Sequence, residues 1–134
     1  MKETVLLFNI QDQMRLRTLK KILMLMKIRV KVVNKNDYLQ PIGYLAGIKE
    51  LENEQVVYEG DELEEEMMLM AGFSGQQIDG LLAGMRKEKL SKINYKAVLT
   101  PMNATWTALQ LYEELKREHE SMTQIQSQSE KRNE

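Results

Sequence analysis

Thr4-Val-Leu-Leu-Phe-Asn-Ile10 opens the chain with an unbroken apolar run of strand length. A strand with one face in water alternates apolar and polar residues, whereas one covered on both faces does not, so this run predicts a central strand. Asp12 can cap a helix whose apolar positions Leu16, Leu19, Ile22, Leu23 and Met26 recur at helical spacing and stop near Lys27. Ile28-Arg-Val-Lys-Val-Val33 alternates apolar with basic residues, as an edge strand does when its charges discourage further pairing. Turn residues fill Asn34 to Asp37, and Pro41 suits the first turn of a short helix reaching Gly47. Met67-Met-Leu-Met-Ala71 is a second unbroken apolar run, followed by Ser74 and Gln77 at capping-box spacing and a helix with the stripe Ile78, Leu81, Leu82 and Met85. Tyr95 to Thr100 predicts the last strand, and a helix from near Thr105 carries Ala108, Leu111, Tyr112 and Leu115 on one face.

Strands near 4–10, 29–34, 66–72 and 95–100 then form a four-stranded parallel sheet of order 2-1-3-4 in a small three-layer α/β/α domain. In that arrangement the first and last helices share one face, and the short helix and the Ser74 helix share the other. The alternative is a ferredoxin-like α+β sheet with the second and third strands antiparallel, because the long connection between them has room for a hairpin. No internal repeat stands out. One domain over residues 1–120 is expected. An acidic loop at about 50–66 holds nine acidic residues and no basic one, and the polar stretch 121–134 is expected to fray.

In a parallel sheet the loops after the strands converge on one edge, where open α/β folds bind ligands. Those loops hold Asn9, Phe73, Ser74, Thr100, Asn103, Thr105 and Trp106, the candidate ligand-binding residues. Phe73 and Trp106 would wall a crevice with a polar floor, suited to a small anionic or amide-bearing ligand. Helical phase sets Trp106 opposite Ala108, Leu111 and Leu115, off the face that meets the sheet. The competing reading makes each of these residues a cap or turn closure, with Trp106 plugging the end of the sheet. Gly80 and Gly84 point away from the stripe of their helix; they fit either a close approach in a homodimer or an indifferent surface. His119 extends the apolar face of the last helix and reads as a packing or surface residue.

Several of these stretches resemble a known family. Arg29-Val-Lys-Val-Val33, the Tyr38 to Gly47 segment with its Gln-Pro, Gly72-Phe73, Lys96-Ala-Val-Leu-Thr-Pro101, Asn103, Trp106 and the Leu-Tyr-Glu-Glu-Leu helix together look like DUF3783, a small bacterial domain family of unknown function. The likeness spans most of residues 4 to 120. It implies that the turn at 100–107 belongs to a shared design, and it brings no catalytic residues with it.

Composition narrows the function. Nineteen basic against 20 acidic residues leave a net charge of −1, so nucleic acid is not expected, although Gln13 to Asn36 holds eight cations and no acidic residue. Without cysteine there are no disulfides, thiolate zinc sites or cysteine nucleophiles, and a single histidine makes a poor metal ligand set. No phosphate-binding glycine loop, nucleophile elbow or zinc-protease motif occurs, so neither catalytic residues, nor a metal, nor a cofactor is expected. No secretory leader or membrane span is apparent. The expectation is a cytoplasmic, non-enzymatic binding or regulatory module for an unknown small ligand or peptide. The alternative is a protein-interaction or homodimer module with no small ligand.

Overall fold

The structure, a computed structural model, describes residues 2–53 and 56–132, with side chains as far as Met122. Four strands, β1 (Thr4–Phe8), β2 (Arg29–Val33), β3 (Met67–Ala71) and β4 (Tyr95–Val98), form one sheet in the order β2-β1-β3-β4. The helices are α1 (Gln13–Leu25), α2 (Ile42–Leu45), α3 (Gly75–Lys87) and α4 (Ala108–Arg132). The backbone of α4 therefore continues through most of the stretch expected to fray; its side chains from 123, and residues 133–134, lie outside the described residues.

The sheet has the expected order but is mixed, not all parallel. β1 pairs parallel with β2 and β3 parallel with β4, while the central pair β1 and β3 is antiparallel, with Thr4 opposite Ala71 and Phe8 opposite Met67. The unbroken apolar runs are explained by burial: all five residues of both β1 and β3 are buried, and two-sided cover says nothing about strand direction. Leu6, Phe8, Met67, Leu69 and Ala71 face α2 and α4, and Val5, Leu7, Met68 and Met70 face α1 and α3.

Strand direction also corrects the helix layers. Right-handed crossovers that step outward from two antiparallel central strands deposit their helices on the same face of the sheet. Accordingly α1 and α3 lie together, and α2 and α4 cover the opposite face.

The two crossover units are related by a local two-fold axis normal to the sheet, a repeat that residue identities do not reveal. Each strand before a helix ends on a left-handed residue, Asn9 (φ 63°) or Gly72 (φ 77°). Both helices are 13 residues long and capped, by Asp12 and Ser74. Both close on a left-handed lysine, Lys27 or Lys89 (each φ 59°), with the next residue's amide bonded to the carbonyl of Leu23 or Met85. Leu16, Leu19 and Leu23 correspond to Ile78, Leu81 and Met85.

Near this axis Ile22 of α1 meets Gly84 of α3, its counterpart in the repeat. An added Cβ on Gly84 would lie 2.9 Å from Ile22 Cγ2, whereas one on Gly80 would meet only the flexible end of Met26 at 3.4 Å. Gly84 thus serves a helix contact within the chain, and Gly80 does not. Gly80→Ala is expected to stabilise by up to about 1 kcal/mol through helix propensity alone. Gly84→Ala gains the same propensity but forces the α1–α3 contact apart, so paired urea melts should place it below Gly80→Ala by about 1 kcal/mol or more.

Candidate functional site

The chain leaves β4 at Val98 and reaches α4 through a turn held by one side chain. Asn103, buried, accepts from the Thr100 amide through Oδ1 (2.9 Å), donates through Nδ2 to the Val98 carbonyl (3.0 Å), and donates its own amide to Thr100 Oγ1 (3.1 Å). Its carbonyl accepts from the Trp106 amide at 2.9 Å. Thr107 then caps α4 reciprocally with Gln110. The helix begins at Ala108, so Trp106 precedes it and the helical-phase argument for its direction does not apply.

The α2 segment docks on this turn by backbone hydrogen bonds. The Ile42 amide donates to the Trp106 carbonyl (2.8 Å), the Gly43 amide to the Ala104 carbonyl (2.9 Å), and Pro41 bridges Thr107. A side chain at position 43 would meet the Ala104 carbonyl oxygen at 2.8 Å, which is why glycine stands there. Gln40 clamps the far side of the loop through two hydrogen bonds with the Asn53 backbone, at 2.7 and 2.9 Å. Tyr38–Gly47 and Thr100–Thr107 are thus two halves of one packed junction.

The seven candidate residues do not form one crevice. Because β1 and β3 run in opposite directions, Asn9 lies at the other end of the sheet from the loops after β3 and β4, separated by roughly 16 Å of strand. There its Nδ2 donates to the carbonyls of Leu63 (2.7 Å) and Glu65 (3.3 Å), anchoring the acidic segment. Ser74 caps α3. Phe73 packs with the α1/α3 core, while Trp106 packs with the α2/α4 core on the opposite face, so the two rings do not wall a common space. Thr100, Asn103, Thr105 and Trp106 do come together, with Thr105 exposed.

Trp106, half-buried, instead closes one end of a groove of about 390 Å³ along α4, lined also by Leu109, Gln110, Glu113, Glu114 and Arg117. The five positions on α4, Leu109, Gln110, Glu113, Glu114 and Arg117, fall on one helical stripe, a signal that the core stripe Ala108, Leu111, Tyr112 and Leu115 overshadows in the sequence. A second hollow of about 490 Å³ continues it past Arg117 to Ser121 and Met122. Three glutamates, Glu113, Glu114 and Glu118, line this path against one arginine, which already pairs with Glu114 at 3.0 Å.

Residues 66–122 match DUF3783, a domain of unknown function. The DUF3783 span holds β3, α3, β4, the Asn103 turn, Trp106 and the whole lining of the α4 groove, and so bears out the resemblance over this part of the chain. The likeness seen in residues 29–47 falls outside it. No curated protein and no solved structure matches the chain at a significant level.

The basic stretch is partly neutralised within the chain. Arg15 forks onto the Glu66 carboxylate, its Nε at 3.0 and 2.9 Å from the two oxygens, and its Nη1 donates to Ser91 Oγ at 3.1 Å. His119 stacks edge-on against Tyr95 at 5.5 Å. Among the described residues no group of three acidic or histidine side chains is placed to hold a metal, and no helix is long and apolar enough to cross a membrane.

Proposed function

We propose that the chain is a non-catalytic binding module that takes a segment of another protein along α4, with Trp106 as the fixed end of the site. The observation that carries this reading is the half-buried tryptophan, held by backbone bonds to Ile42 of α2 and to Asn103 and opening onto an elongated groove. Rigidly presented aromatic side chains lose little entropy on contact and dominate the energetics of interfaces. The groove is long and open, which suits an extended or helical segment better than an enclosed small molecule. Its excess of glutamates favours a partner with an apolar anchor flanked by lysine or arginine.

Trp106 is the only tryptophan and so reports its own site. Peptides selected from a displayed library against the folded chain should carry that apolar and basic pattern, and should shift its fluorescence saturably. Charge reversal at the exposed Glu113, which makes no ion pair among the described residues, should weaken them by about threefold or more with little change in the melt, since lost rim charges act mainly on recognition. Selected peptides that leave the emission unchanged, or that bind the reversed variant equally well, would sink the reading.

A further inference from the structure

The two crossover units part most clearly in the connection from helix to edge strand. Three residues, 26–28, join α1 to β2, but seven, 88–94, join α3 to β4. The longer connection is pinned by Ile93, buried in the α1/α3 core, and by the bond from Arg15 to Ser91. Two substitutions accompany it. Where the first unit has Lys20 on the helix and Val30 in the edge strand, the second has Leu82 and Lys96. An outer flank with a cation on the helix becomes one with an apolar floor and cations at its rim.

The result is a cleft of about 380 Å³ lined by Leu82, Met85, Arg86, Leu90, Lys92 and Lys96, with no carboxylate in its lining. That volume falls within the roughly 300–1,000 Å³ usual for small-ligand sites. Among the described residues none of its three cations makes an ion pair, and the Lys96 ammonium has one hydrogen bond, to the Ile93 carbonyl at 2.8 Å. Burial, and then the charge of Lys92, hold the Lys96 ammonium below the usual lysine range, so its charge is poorly compensated where it stands. A lysine that only protected the edge of the sheet would extend into water and need no apolar floor beside it.

We propose that the cleft between α3 and β4 binds a small amphipathic anion, its carboxylate or phosphate head on Lys96 and Lys92 and its hydrocarbon body on Leu82, Met85 and Leu90. An anionic head supplies the missing counter-charge and accepts the donors that Lys96 leaves open; the chain covers the exposed parts of Leu82 and Leu90. The site lies wholly within the DUF3783 span and is independent of the α4 groove.

Amide NMR titrations of the full chain with octanoate and octyl phosphate, against octanamide and acetate as controls, test it. At least one of the two anions should bind saturably, with shifts centred on residues 82–96, and at least about tenfold more tightly than either control. The tighter of the two identifies the head group. Lys96→Met, which keeps the apolar stem, should weaken that binding by about tenfold or more while the melting temperature holds or rises. Equal binding of octanamide, shifts centred elsewhere, unchanged affinity in Lys96→Met, or no saturation with either anion would overturn the proposal.

Discussion

Tyr38→Ala is expected to cost about 3–5 kcal/mol of folding stability, while Tyr38→Phe costs nothing or stabilises. The ring is wholly buried between β1 and the acidic segment, 6.0 Å from Phe8 and stacked at 5.9 Å on Tyr58. Its backbone carbonyl accepts from the Leu109 amide at 3.4 Å, so the residue joins the sheet, the 57–66 segment and α4. Truncation would leave a ring-sized cavity at the meeting point of three elements. The hydroxyl has a different status: it is buried without a well-formed hydrogen bond among the described residues. Burial, and after it the Glu62 carboxylate, push its ionisation far above the usual tyrosine range, so it stays neutral and merely desolvated. Removing it relieves a cost. Urea melts of the two variants with wild type separate the terms, and a loss of more than about 1 kcal/mol in Tyr38→Phe would show that the hydroxyl is bonded in solution.

Asn103→Ala is expected to cost about 2–3 kcal/mol, from hydrogen bonds worth about 1 kcal/mol each and from the part-buried backbone groups of Val98 and Thr100 left without partners. Its amide nitrogen ends β4 by capping the Val98 carbonyl, and its oxygen holds the Thr100 amide. Alanine can do neither. Asn103→Asp keeps the acceptor for Thr100 but turns an anion toward Val98, so it should be no better tolerated than alanine. Because the Asn103 carbonyl receives the Trp106 amide, loosening the turn also frees the indole. A red shift of the tryptophan emission should therefore precede global unfolding in both variants. An emission maximum that moves only with the global transition would mean that α2 alone holds Trp106.

Which of these features were legible in the sequence follows from what each pattern encodes. Apolar periodicity reports burial, and it located β1, β3 and the stripes of α1, α3 and α4 because each of those residues meets a core. It carries no vector. Direction in this sheet is set by residues 34–66, whose acidic and irregular stretch has no period to read, and that connection brings the chain back to the end of the sheet at which β2 finished. The proposed crevice rested on direction and so was taken apart with it: Asn9 went to one end, and Phe73 and Trp106 to opposite faces. The turn itself survived because Thr100, Asn103 and Trp106 are close in sequence and their bonds are local. Gly80 and Gly84 were visible as missing side chains, but what fills the gap at Gly84, Ile22, lies far away in the chain and could not be inferred from helical phase.

The seam between β1 and β3 bears on solubility. The DUF3783 span begins at residue 66 and so contains β3 but not the strand that covers it. In this chain β1 shields a row of five apolar residues, Met67 to Ala71, that has neither a charge nor a proline to deter another strand. Any polypeptide built from that span alone would present a naked, sticky border to its surroundings. Here the first crossover unit acts as a permanently attached guard for that border, supplied in cis and oriented by the same local two-fold axis that sets Ile22 against Gly84.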